Sequence, residues 1–391
     1  MRFSGFDDEW IIKKLNDVSD VNPKTRELPE KFVYIDLDCV NHGILTKFNQ
    51  INKNEAPSRA QRCLNVNDIL FQTVRPYQMN NLFFELYDGE YVASTGYAQI
   101  KSKIVPKFLY YYLHYNKFVN EVLNRCTGTS YPAINSNDLK KIKIKIPPSS
   151  NEQMLIGDLF YKLDQKIELL KDKYHYYQEF KKYLMQQIFT QKLRFVDFNN
   201  SSWKDYKFKD LGTVKSGVGF SNKYQGHLDL DYNFYKVSDM NLKGNKKVMT
   251  RSNNTIDDNL LKDIGVKLIE NPSIIFAKVG EAIFLNRKRI AKQPFLIDNN
   301  MMAFSPNENV DLEFMYYLAT SINFGKYAQT GALPSYNASD IYSIKCKIPP
   351  IEEQKRIGKL LSLADNKIDF CSNQLNKTQE FKKGLLQQMF V

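Results

Sequence analysis

Residues 152–189, EQMLIGDLFYKLDQKIELLKDKYHYYQEFKKYLMQQIF, and residues 353–390, EQKRIGKLLSLADNKIDFCSNQLNKTQEFKKGLLQQMF, align without a gap at a constant offset of 201, with 17 of 38 positions identical. In the first copy Ile156, Phe160, Leu163, Ile167, Leu170, Tyr174, Tyr177, Lys181, Leu184 and Ile188 step alternately by four and three. The second repeats the step at Ile357, Leu361, Ala364, Ile368, Cys371, Leu375, Thr378, Lys382, Leu385 and Met389. Such a heptad seam on a proline-free stretch predicts a long helix. Pro147-Pro148 and Pro349-Pro350 stand just before each start, where proline is tolerated. A rod of 38 residues is about 57 Å long, and a stripe this narrow is marginal alone in water. The two copies are therefore expected to pack as an antiparallel pair. The seam lysines Lys181 and Lys382 either snorkel out of an imperfect seam or set register or bind a partner.

The repeat extends upstream with single-residue slips. Thr127 to Asn135, TGTSYPAIN, resembles Thr330 to Asn337, TGALPSYN; Asp138-Leu139 and Ile142 to Pro148 match Asp340-Ile341 and Ile344 to Pro350. Weaker echoes pair Trp10–Val18 with Trp203–Val214, Asp68–Phe71 with Ser273–Phe276, and Phe108–Tyr111 with Phe314–Tyr317. The chain therefore reads as a tandem duplication of a globular domain followed by a helix. The expected boundaries are 1–151 for the first domain, 152–190 for the first helix, 191–352 for the second domain and 353–391 for the second helix.

Each domain mixes short β-rich runs (32–37, 68–74 and 91–94; 234–237, 273–279 and 282–285) with one helix, 106–123 or 312–321, giving an α+β class used twice. Alternation at Lys141 to Ile146 and at Ile344 to Ile348 predicts a strand with one apolar and one basic face. That lysine face either touches phosphate or only blocks edge-to-edge aggregation.

The 391 residues hold 55 Lys+Arg against 43 Asp+Glu, a formal net charge of +12. The helices are near neutral, so most of the excess belongs to the domains, and a basic surface favours a polyanion, nucleic acid first. Basic residues in loop-like contexts are the contact candidates: Arg59, Arg62, Arg75, Lys103 and Arg125 in the first domain, Lys243, Lys246, Lys247, Arg251, Lys278, Arg287, Lys288 and Arg289 in the second. Many stand beside Asn, Gln or Tyr, the types that read base edges or hold phosphates.

Five cysteines without a CxxC pair, no leader-like start and no long uncharged apolar run predict a reduced, cytoplasmic protein that does not enter a membrane. No catalytic constellation stands out. The Pro-Pro pairs lack the Asn/Asp-Pro-Pro-aromatic context of an adenine methyltransferase, no GxxxxGK[ST] run exists, and His42, His114, His175 and His227 have no metal-ligand spacing. The chain reads as non-catalytic, with no metal site.

The combination of TGTSYPAIN (127–135), DLKKIKIKIPPSSNEQ (138–153) and a long helix, repeated as TGALPSYN, DIYSIKCKIPPIEEQ and a second helix, resembles the specificity subunits of type I restriction-modification systems over nearly the whole length. That resemblance implies two target recognition domains, separated by two long antiparallel helices in a pseudo-twofold repeat. Each domain would read one half of an asymmetric, split double-stranded DNA target. It implies two methyltransferase subunits docked on the helices and restriction subunits joining through them, with S-adenosylmethionine, ATP and Mg confined to those partners. Two other readings stand beside it: a self-contained DNA-modifying enzyme with an unrecognised active site, and a coiled-coil scaffold not specific for DNA.

Overall fold

The computed structural model describes residues 1–329 and 333–390. Thr330, Gly331 and Ala332 of the second TGALPSYN motif lie outside the described residues, as does Val391 of the second helix segment. The chain divides into two compact units, Met1–Asp172 with Ser372–Val391, and Lys173–Cys371. Each unit thus combines a globular part with a stretch of both long helices. Those helices run over Ser150–Phe189 and Ile351–Met389, starting just after the proline pairs.

In the first unit one sheet has the strand order Asn49–Asn52, Lys31–Ile35, Tyr91–Ser94, Ala60–Cys63; a second has Ser19–Val21, Tyr97–Ser102, Ile69–Gln72, Leu82–Phe83. Within these sheets Lys31–Ile35 and Tyr91–Ser94 run parallel and the other pairs are antiparallel. The second unit repeats the plan. Its sheets are Thr255–Ile256, Tyr232–Tyr235, Phe295–Ile297 and Gly212–Ser216, Met301–Pro306, Ser273–Ala277, Lys288–Ala291, with the parallel pair again between the equivalent strands. The strands Ile69–Gln72, Tyr91–Ser94, Ser273–Ala277 and Phe295–Ile297 are buried along their whole length, a demand that many combinations of β-prone side chains satisfy, so dissimilar sequences fold alike.

The basic-faced strands form but start later than expected, because Lys141 closes the helix Ser136–Lys141 and Ile344 precedes the second strand. Lys143–Ile146 pairs antiparallel with Ile11–Lys14, its lysines exposed and its isoleucines buried, and Lys345–Ile348 pairs with Lys204–Lys207.

The seam is buried or half-buried at every position, from Ile156 to Ile188 and from Ile357 to Met389. In the first unit Ile156 and Phe160 share a core with Leu385, Leu386, Met389 and Phe390 from the far end of the second helix. In the second unit Ile357 and Leu361 share one with Leu184 and Ile188. The start of one copy meeting the end of the other makes the pairing antiparallel within each unit. Leu163 packs against the edge of the first core, while Leu170, Tyr174, Ala364, Ile368 and Leu375 are half-buried and Ile167 and Cys371 fully buried. These cores also include residues of the globular parts. Phe390 stacks on Phe160 at 5.7 Å and meets Phe108 and Tyr112 edge-on at 5.5 and 5.3 Å.

Two local expectations are corrected. The helix expected over 106–123 is two helices, Pro106–Tyr112 and Asn116–Leu123. The residues Phe108 to Leu113 are all buried, so no face of a continuous helix could meet solvent there. A turn with short-range bonds from the His114 and Tyr115 amides to Tyr111 and Tyr112 lets Tyr112, Tyr115 and Phe118 enter the core together. The β-rich run expected at 282–285 is a 3₁₀ turn, Glu281–Ile283, and the strand begins later at Lys288, inside the basic run.

Candidate nucleic-acid interface

The repeated Glu-Gln pair at the start of each long helix fixes the frame on which the candidate surfaces stand. In the first unit the carboxylate of Glu152, fully buried, accepts from Arg2 Nε at 2.6 Å, Arg2 Nη2 at 2.8 Å and Trp10 Nε1 at 3.3 Å. In the second, Glu353 accepts from Arg194 Nε at 3.1 Å, Arg194 Nη2 at 2.7 Å and Trp203 Nε1 at 3.4 Å. The adjacent glutamine ties the proline turn to the globular part. Gln153 accepts from the Val105 amide and donates to Pro147 O, and Gln354 accepts from the Asp311 amide and donates to Pro349 O. A bidentate guanidinium matches a buried carboxylate in geometry and charge, which is why the pair survives burial. Sequence reading missed Arg2 and Arg194, which lie 150 and 159 positions from their partners.

A second duplicated contact corrects the snorkelling alternative for the seam lysines. Lys181 Nζ reaches Asp365 Oδ1 at 2.5 Å, and Lys382 pairs in the same way with Asp164. Each aspartate also accepts from a buried tyrosine of the globular part, Tyr317 or Tyr111. These lysines are therefore anchored within the seam and couple it to the domain.

On this frame the first unit carries a cleft of about 890 Å³ lined by Tyr34, Asp36, Asp38, Asn41, Lys47, Arg59, Gln72, Arg75, Gln78, Asn80 and Tyr131, among others. Burial, hydrogen bonds and the backbone hold its wall in place. Gln72, buried, donates to Val74 O and Gln78 Oε1, both at 2.8 Å, and accepts from the Asn80 amide at 3.1 Å. The motif 127–135 closes on itself through paired Thr127 and Ala133 backbone bonds and bridges to Val74, which sets Tyr131 beside Arg75. Among the described residues, the side chains of Lys47, Arg59 and Arg75 make no hydrogen bond or ion pair with the protein.

The same backbone frame recurs in the second unit with other side chains. Val279 bridges Ser335 as Val74 bridges Ala133, and the Gly280 amide donates to Pro334 O as Arg75 donates to Pro132 O. Where the first unit has Asp36, Arg75 and Tyr131, the second has Lys236, Gly280 and Leu333, and Leu333 is exposed. Lys278 lies at the edge of this region with its backbone carbonyl accepting from Tyr336 N.

The sequence candidates separate once placed. Arg59 and Arg75 line the cleft. Arg62 is not in a loop but in strand Ala60–Cys63, with a buried, unpartnered Nε and a guanidinium whose pKa burial lowers. Lys103 pairs with Asp20 at 2.6 Å, and Arg125 with Glu121 at 3.3 Å beside the exposed Lys141, Lys143 and Lys145. In the second unit Lys243, Arg251 and Arg287 are exposed, with Arg251 donating to Lys243 O and Arg287 to Asn241. Lys246 forms an exposed pair with Asp369.

Lys247, Lys288 and Arg289 are corrections, because tertiary structure takes up their donors. Lys247 meets Glu313 at 2.5 Å, Tyr317 Oη at 2.8 Å and Ser362 Oγ at 3.1 Å, fastening the globular part to the second helix. Lys288 is 2 % exposed and donates to Asn286 Oδ1 and Ile322 O beneath the Phe324 ring. Burial pushes its pKa down to about 7. Arg289 donates to the carbonyls of Asn245, Lys288 and Met240. In the first unit burial also pushes His114 down to about 4, leaving a neutral ring between Tyr110 O and Asn81. Among the described residues no three His, Cys, Asp or Glu side chains are grouped to hold a metal, and no helix is long and apolar enough to cross a membrane.

The model of the type I restriction modification DNA specificity domain matches residues 7–179 and again 200–380, so each match takes in a globular part and most of the helix after it. The chain belongs to this family. It is 22 % identical over 407 residues to the type I restriction enzyme MjaVIII specificity subunit of Methanocaldococcus jannaschii, covering 97 % of this chain and 91 % of that one. Among solved structures, the S subunit of a type I restriction-modification system from M. genitalium superposes with a TM-score of 0.62 at 17 % identity, covering 100 % of this chain and 97 % of that one. The HsdS subunit from Thermoanaerobacter tengcongensis gives 0.52 at 18 % identity, covering 98 % and 97 %. The likeness to these two shows the fold.

Proposed function

We propose that the chain is the non-catalytic DNA specificity subunit of a type I restriction-modification complex, in which each unit reads one half of an asymmetric, split double-stranded DNA target. The long helices dock two methyltransferase subunits, through which restriction subunits join, and the chemistry belongs to those partners. The domain boundaries that go with this reading are 1–151, 152–190, 191–352 and 353–391. The contacts fall to Arg59 and Arg75 with Lys47 in the first unit and to Lys243 and Lys278 in the second, together with the exposed Arg251 and Arg287, each of which gives one bond to its own unit and keeps its other donors.

One observation carries the reading: a duplicated frame bears two unlike faces. Glu152 and Glu353, Lys181 and Lys382, and the Val74 and Val279 bridges repeat contact for contact. The side chains on those frames differ in charge and shape. Equal holding with unequal display is what a reader of two different half-sites requires, since phosphate contacts position a domain and base contacts specify it.

The test is to map methylated positions in DNA exposed to the chain together with its methyltransferase subunits, then to repeat it with Lys47→Ala and Arg59→Ala combined. The expected result is a bipartite target whose one half loses occupancy while the other keeps its sequence. Equal loss of sequence preference in both halves contradicts one reader per unit.

A further inference from the structure

Arg75 occupies a left-handed backbone conformation, φ 54° and ψ 54°, which a side chain with a Cβ rarely adopts. The equivalent place in the second unit holds Gly280, also at positive φ, 77°, but with ψ −171°. Both frames thus carry a positive φ at this place, which glycine adopts without strain. Space does not decide the matter, because a Cβ on Gly280 would meet only Leu333 Cδ1 at 3.8 Å. An arginine in the left-handed region is strain stored at a site, which points to a use for the side chain.

That side chain lies over a ring and is left unspent. The guanidinium carbon lies 4.2 Å from the centroid of the Tyr131 ring, and among the described residues none of its N–H groups has a protein acceptor. The ring contact limits where the fork can sit while its donors stay open, a preorganisation that suits a planar pair of acceptors. Two such pairs exist on duplex DNA: phosphate oxygens, and the O6 and N7 of guanine in the major groove. Asp36 and Asp38 line the same cleft. Two carboxylates repel phosphate, whereas a carboxylate accepts from the cytosine N4 amine across the same base pair.

We propose that Arg75 reads the guanine of a G·C pair in the half-site of the first unit, held over Tyr131 for that purpose. This rests on the function proposed above. The experiment measures binding of the complex with its methyltransferase subunits to duplexes bearing the mapped target, with each base pair of that half replaced in turn and with 7-deazaguanine at each guanine. For the unsubstituted protein, one G·C replacement, and 7-deazaguanine at that guanine, should cost about 5- to 150-fold. Arg75→Gly should lose that discrimination at the one position and keep it elsewhere. Because glycine relieves the left-handed backbone, its unfolding midpoint should match or exceed that of the unsubstituted protein, which separates lost reading from lost folding. A uniform loss across all sequences with a shallower salt dependence assigns Arg75 to phosphate and overturns the proposal. So does unchanged discrimination in Arg75→Gly, or a half-site without a sensitive guanine. Absence of any bipartite target for the unsubstituted complex overturns the function itself, and this inference with it.

Discussion

Replacing Arg194 by alanine should destabilise the protein far more than replacing its partner Glu353 by glutamine. The Glu353 side chain has no exposure to water, whereas that of Arg194 is 14 % exposed. Removing the guanidinium deletes bonds of 3.1 and 2.7 Å to the carboxylate and leaves a buried charge with only Trp203 Nε1 at 3.4 Å. Breaking a buried pair from that side costs about 3–5 kcal/mol. For a unit of this size that is roughly 6–20 °C in Tm. Glu353→Gln keeps the shape and an acceptor for Trp203, and the guanidinium retains Ser201 O and Oγ and a route to water. Its loss should be about 1–2 kcal/mol. Combining the two should recover stability relative to Arg194→Ala alone, because the stranded charge is gone. Urea unfolding of the full chain, with the four proteins of the cycle compared, reads these differences. An Arg194→Ala loss below about 1 kcal/mol, or a double variant no more stable than Arg194→Ala, refutes the assignment of Arg194 as the counter-charge that permits burial.

Phe390→Ala should cost about 3–5 kcal/mol in the same assay, since a 1 % exposed ring touching Trp10, Phe108, Tyr112 and Phe160 leaves a cavity among aromatic groups that cannot collapse. Lys288 gives a pH signature. Its folded pKa is lowered to about 7, below the unfolded value of an ordinary lysine, so the unfolded state binds more protons between pH 7 and about 10 and this group's contribution to stability rises with pH. Lys288→Met should therefore be most favourable relative to the unsubstituted protein near pH 7 and lose that advantage by up to about 1.4 kcal/mol per pH unit on going alkaline. A pH-independent difference, measured by unfolding at pH 7, 8 and 9, contradicts the lowered pKa of the buried lysine.

The long helices were legible because two copies of one periodic segment stand in the same chain, whereas the contacts that fix the sense of their pairing, Lys181 with Asp365 and Lys382 with Asp164, join positions 184 and 218 residues apart. The glutamate and glutamine at their heads were visible as repeats, yet their work was not, because Arg2, Trp10 and Val105 are remote in sequence. Lys288 and Arg289 illustrate the opposite failure. Local charge density suggested an exposed loop, while the strand Lys288–Ala291 carried Lys288 under Phe324 and turned Arg289 toward three carbonyls. The broken helix at Leu113 followed from crowding by aromatic neighbours, which no helical period encodes. In the candidate surface, Arg59 and Arg75 were found by type. The amide-bearing lining from Gln72 to Asn80 was not, since an asparagine or glutamine in a loop has no pattern until its hydrogen bonds are seen.

The crossed contacts of Lys181 with Asp365 and Lys382 with Asp164 bear on a hazard peculiar to duplicated helices. A segment paired with its own copy could lie beside it in either direction, because the greasy stripe is nearly the same for both. Laid side by side in register, equivalent positions would face each other: lysine against lysine, aspartate against aspartate. Reversal alone brings unlike signs together, twice over. The ionic contacts thus act as a polarity check on assembly, penalising the wrong direction more than they strengthen the right one.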